Sequence, residues 1–123
     1  MLAAYKRSKD MGWWPKVDDS IDTRKQLVTH EFGHCLTLNR ASNLNVKIRV
    51  PIDDIYKRYK KHMSILQKKG IDTINDVNFV SKYGEESVTE FVAESFTQVR
   101  LSANPSPYAK EVYEIIKKEY GRK

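Results

Sequence analysis

Two histidines four residues apart, in the run His30-Glu31-Phe32-Gly33-His34, constrain this chain more than any other part of it. On a helix, four residues make one turn plus roughly 40° of rotation, so both imidazoles face one side and can meet a single ion. Neutral imidazole suits Zn²⁺, and two such histidines supply two of the three protein ligands of an open zinc site. Glu31 follows the first histidine, where its carboxylate can act as a base toward water without taking a coordination position. This is the spacing of the zinc-peptidase helix motif. Gly33 is a poor helix former, by about 1 kcal/mol, and its place in the run predicts close backbone approach by another element beside the metal face.

The flanking pattern predicts a helix from about Ile21 to Leu38, capped by Asp18, Asp19 or Ser20 and ending near Asn39. Its apolar positions, Leu27, Val28, Phe32, Cys35 and Leu36, keep helical spacing and are expected to face the core. Cys35 is the only cysteine, so no intrachain disulfide can form, and it reads as a small buried residue rather than a reactive thiol. Ahead of the helix, residues 1–19 form a polar approach segment in which Trp13-Trp14, just before Pro15, are expected to anchor the chain on the domain. Behind it come a loop from Arg40 to Asn45 and a β-like run, Val46-Lys47-Ile48-Arg49-Val50. Pro51 is expected to open a second helix ending near Gly70, with Ile55, Tyr59, Met63 and Leu66 as its buried stripe. A third helix is expected from about Glu85 to Leu101. Asn104-Pro105-Ser106-Pro107 breaks it, and an amphipathic helix with Tyr108, Val112, Ile115 and Ile116 follows. The pattern is that of one mainly α domain over residues 1–123.

Composition narrows the classes. With 123 residues, 40% hydrophobic and 31% charged, the chain can build one modest core and is no disordered tail. No apolar run approaches the ~18 residues of a membrane helix, and the N-terminus lacks the apolar stretch of a secretory signal. A membrane is therefore not an expected partner, and a cytoplasmic location is favoured over secretion. The net charge of +6 permits attraction to nucleic acid. Lys57, Arg58, Lys60, Lys61, Lys68 and Lys69 interleave with the apolar stripe of the second helix, however, which marks a solvated face in preference to a nucleic-acid site.

The third metal ligand must come from outside the motif. Six residues beyond His34, where one group of zinc peptidases carries a histidine, stands Arg40. His62 lies among Lys60, Lys61 and Met63 and reads as solvated. Glu86, Glu90 and Glu94 recur every four residues and would stack like charges along one helix side, a penalty that a cation removes. Phe91, Val92, Ala93 and Phe96 flank Glu90 and Glu94 and draw both toward the core.

The motif, together with Tyr83-Gly84 and Glu90-Phe91-Val92-Ala93-Glu94-Ser95-Phe96, resembles the catalytic domain of the anthrax lethal factor family. That family includes bacterial proline-directed endopeptidases and metallopeptidase-like domains of phage and mobile-element proteins. The likeness covers roughly residues 20–118 and is specific in those two blocks. It implies a zincin-like α+β domain with His30, His34 and Glu90 as zinc ligands and Glu31 as general base. It further implies that Tyr83 hydrogen-bonds the developing oxyanion and that Glu94 orients a ligand histidine from behind. Zincin domains of this type place a twisted sheet ahead of the motif helix. The 29 residues before His30 show no clear strands, so that sheet is expected to be reduced or missing.

The expected activity is zinc-dependent hydrolysis of peptide bonds in a peptide or protein substrate, with Val46 to Val50 as the strand candidate that could pair with it. A phage-associated setting fits the resemblance as well as a cytoplasmic one, and the chain can equally be part of a larger polypeptide. Two other readings compete. One is a zinc-stabilised interaction module of a phage or mobile-element protein that has lost turnover. The other is a basic nucleic-acid-binding helical domain without metal.

Overall fold

The structure, a computed structural model, describes residues 17, 23–39 and 43–121. The expected caps at Asp18, Asp19 and Ser20 and the anchor Trp13-Trp14 lie outside the described residues, as does Arg40. Among the described residues there are four helices: α1 (Thr23–Thr37), α2 (Val46–Lys68), α3 (Val88–Leu101) and α4 (Pro107–Tyr120). Among the described residues there is no strand, only an isolated antiparallel bridge between Leu38 and Leu44. The mainly α expectation holds. No described helix is long and apolar enough to cross a membrane.

The β-like run does not form a strand. Asn45 caps α2, its side chain accepting from the Lys47 N–H at 3.1 Å, and Val46 to Val50 make the first turns of that helix. Five residues alternating apolar and polar fit period 2, but Ile48 belongs with Ile52, Ile55, Tyr59, Met63 and Leu66, all buried at spacings of three or four. Val46 and Val50 are 70% and 76% exposed, which a buried strand face would forbid. Pro51 therefore lies inside α2 instead of opening it, where its missing N–H costs one helical hydrogen bond. The helix ends in a left-handed Gly70 (φ 74°). There Gly70 N–H reaches the Gln67 carbonyl and Ile71 N–H the Leu66 carbonyl, each at 3.0 Å, the pairing that closes a helix C-terminus.

The third helix starts later than expected. Tyr83–Glu85 form a separate 3₁₀ turn, and α3 begins at Val88 with Ser87 as its cap. Glu86 therefore lies outside the helix and exposed, so the expected stack of three glutamates is a pair, Glu90 and Glu94. Every residue from Phe91 to Gln98 is buried, because α3 packs on α1, α2 and α4 together. Ser106 and Pro107 start α4, which buries Ala109, Val112 and Ile116 against α2 and α3. The six basic residues named above are exposed, with Lys57 paired to Asp53 and Arg58 to Asp54 and Glu111.

The largest departure is the orientation of α1. Gln26, His30, Gly33 and Thr37 face inward, whereas Val28, Phe32 and Cys35, expected in the core, are exposed. The helix meets its neighbour through small and polar groups, so hydrophobicity points to the wrong face.

Candidate metal centre

The α1 face that turns inward carries both motif histidines, and the α3 face it meets carries Glu90 and Glu94. The two helices can lie this close because Gly33 has no side chain. A Cβ there would come within 3.3 Å of the Ala93 Cα and of Phe96 Cδ2. The close approach expected beside the metal face is thus the contact between α1 and α3.

His30, His34 and Glu90 each bring one donor atom to a common point, all within 4.8 Å of one another. Glu90 Oε1 lies 3.1 Å from His30 Nε2 and 2.9 Å from His34 Nε2. The other nitrogen of His30, Nδ1, lies 2.7 Å from Oε2 of Glu94, a carboxylate with no exposed surface. A carboxylate only accepts, so satisfying Glu94 requires a proton on Nδ1. Without a metal, the contact with Glu90 is a hydrogen bond only while Nε2 also carries a proton, and a His30 that carries both is a buried cation. A divalent ion at Nε2 satisfies the same geometry with neutral imidazole. Two imidazoles and one carboxylate are the donor set of an open zinc site with three protein ligands, and the residues fit that ion.

The electrostatics follow the geometry. Burial disfavours a charged His30, but the Glu94 hydrogen bond and charge, with Glu90 and Glu31, outweigh it and lift the imidazole above its ordinary value. Burial pushes the Glu94 carboxyl up, against the bonds it accepts from His30 and Ser81. Tyr83 sits over the cluster, its ring stacked on His30 at 5.8 Å between centroids and 26° between planes. Burial, then the charge of Glu90 and a hydrogen bond to it, push the Tyr83 hydroxyl up to about 12, so it is a donor at neutral pH. Glu31 is exposed beside His30, close enough that its charge acts on both His30 and Tyr83. His34 Nδ1 is buried without a partner, which leaves Nε2 as the nitrogen committed to the cluster.

The structure thus brings His30, His34 and Glu90 to one point, with Glu94 behind His30, Tyr83 stacked on it and Glu31 beside it. Glu86 stays outside. His62 is half-buried and bonded to the Tyr108 hydroxyl at 2.9 Å, rather than solvated. Ser81, which carries no sequence motif, also joins the site. Its hydroxyl donates to Glu94 Oε1 at 2.6 Å. Only its position two residues before Tyr83 could have drawn notice, since no periodicity governs the irregular segment that holds it. No model of a known protein family matches this chain, nor does any curated protein or solved structure.

Proposed function

We propose that this chain is a zinc-dependent peptidase domain of the zincin type. One observation carries the reading: His30, His34 and Glu90 converge on a point, with Tyr83 stacked on His30 and the charge of Glu31 acting on both of those rings. When bound, zinc supplies Lewis-acid chemistry, lowering the pKa of water toward ~7 and polarising a carbonyl.

The protein's own groups take the remaining roles. Glu31, exposed and one residue beyond a ligand, accepts a proton from the attacking water and returns it to the leaving amine. Tyr83, protonated at neutral pH, exchanges its bond to Glu90 for one to the developing oxyanion, a contact of the kind worth ~10²–10³ in rate. Glu94 keeps the proton of His30 on Nδ1, so Nε2 presents its lone pair. With Val46 to Val50 helical, that segment cannot be the edge that holds an extended substrate.

The test is elemental analysis of purified protein together with digestion of a peptide library by wild type and Glu31→Gln. The reading expects one zinc per chain in both proteins and cleavage by the wild type alone. Zinc without cleavage in the wild type would favour the non-catalytic module. Absence of zinc, with nucleic-acid binding that falls steeply as salt rises, would favour the basic-domain reading.

A further inference from the structure

Glu94 is fully buried, and each of its oxygens accepts a bond from a different element: Oε2 from His30 Nδ1 on α1, Oε1 from the Ser81 hydroxyl. A hydroxyl that donates to a carboxylate has its oxygen left to accept, and Ser81 Oγ takes the Gly84 backbone N–H at 2.9 Å. The chain of bonds therefore has one direction, from Gly84 N–H through the Ser81 hydroxyl to Glu94. Because Glu94 accepts from both sides, the proton of neutral His30 is held on Nδ1 and the Nε2 lone pair is turned into the cluster. Gly84 follows Tyr83 in the same 3₁₀ turn, so the turn that carries the tyrosine is fastened to the carboxylate that orients the histidine.

The backbone leading into Ser81 is pinned. Val80 N–H donates to the Tyr59 hydroxyl at 2.9 Å, and the Gln98 amide donates to the Phe79 carbonyl at 3.3 Å. Gly84 leaves just enough room, since a Cβ there would stand 3.1 Å from Ser81 Oγ and 3.5 Å from the Glu94 Cβ. Ser81 is thus held by α2 and α3 independently of the bonds it makes toward the site.

We infer that Ser81 is a positioning residue for the metal centre, fixing Glu94 on His30 and coupling that ligand to the Tyr83 turn. The inference rests on the zinc reading for its consequence, but the bond network itself can be read in metal-free protein.

The experiment compares wild type, Ser81→Ala and Gly84→Ala, with Ser95→Ala as the control. Ser95 is a buried serine of α3 whose hydroxyl has no partner, so its loss removes a buried oxygen and no bond. Two quantities are measured: the nitrogen resonances of His30 in ¹⁵N-labelled metal-free protein at mildly alkaline pH, and zinc affinity by competition with a chelator. The chain has three histidines, so His34→Ala and His62→Ala spectra assign His30. Wild type and Ser95→Ala are expected to show His30 with its proton on Nδ1 alone. Ser81→Ala is expected to show a mixture of tautomers and to bind zinc ~10–100-fold more weakly, the usual loss when a partner behind a ligand is removed. Gly84→Ala keeps the hydroxyl but presses on it, and should move both readouts in the same direction; it carries the test if Ser81→Ala fails to fold. Unchanged His30 resonances and zinc affinity in both variants overturn the inference and leave the zinc reading standing. Absence of zinc from the wild type defeats the zinc reading instead, and the metal-free spectra still decide whether Ser81 governs the proton of His30.

Discussion

Oε1 of Glu90 lies 2.9 Å from Nε2 of His34, although the two residues are 56 positions apart in the chain. A helix-borne glutamate reaches a helix-borne histidine only because α1 docks on α3 through Gly33. Glu90→Ala removes the oxygen on which both imidazoles converge. Zinc affinity should fall by about 100-fold or more, beyond the ~10–100-fold typical of partners behind a ligand, and His30→Ala and His34→Ala should match it in chelator competition. Undiminished zinc in Glu90→Ala would move the third ligand to another carboxylate.

Metal removal should be visible as a loss of stability. An ion that binds only the folded state stabilises it by about 4 kcal/mol at a thousandfold excess over Kd. For a domain of this size, chelation is then expected to lower the melting temperature by roughly 10 °C or more. Zinc should restore it and magnesium should not, because imidazole ligands do not suit that ion. Coincident melting curves on protein that held zinc beforehand would show the site to be peripheral to the fold.

Tyr83→Phe keeps the ring stacked on His30 and removes only the hydroxyl. Peptidase kcat should drop by ~10²–10³, with a smaller change in KM, since the contact forms mainly in the transition state. Equal losses in both would make Tyr83 a substrate-positioning group.

Gly33→Ala puts a Cβ 3.3 Å from the Ala93 backbone and Phe96. Better helix propensity returns up to about 1 kcal/mol, but forcing α1 from α3 costs about 1–3 kcal/mol. The expected outcome is a small net loss of stability in urea unfolding, with a larger fractional loss of zinc affinity because the two helices hold different ligands. Wild-type zinc affinity in this variant would mean that the helices absorb the methyl without moving the site.

Tyr59→Phe tests the support beneath Ser81. The variant strands the Val80 N–H in the core, which costs about 1–3 kcal/mol, and urea unfolding should register that loss. Full wild-type stability would require another acceptor for that N–H.

How much could be read beforehand depends on what kind of signal each residue carries. His30 and His34 announce their helix and their shared face by spacing alone, and Tyr59, Met63 and Leu66 mark the stripe of α2 in the same way. Val46 to Val50 misled because five residues are too few to separate period 2 from period 3.6. The inward face of α1 is not legible in its hydrophobicity, because Val28, Phe32 and Cys35 are its apolar residues, while the contact it makes needs the absent side chain of Gly33 and the polar ones of His30 and Thr37. Ser81 reaches Glu94 from 13 residues away through an irregular segment, where neither periodicity nor propensity gives any cue. Compact networks of this kind become legible only in three dimensions.

The docking of α1 on α3 has one more consequence, for the unfolded chain. An ion shared by His30 and Glu90 closes a covalent loop of some 60 residues that contains the whole of α2. Such a clip acts as a reversible cross-link, and the entropy it removes grows only with the logarithm of the loop's length. An ion that kept both His30 and Glu90 in a denatured chain would therefore favour compact over expanded conformations, and would bring the α1 and α3 segments together before α2 between them had formed.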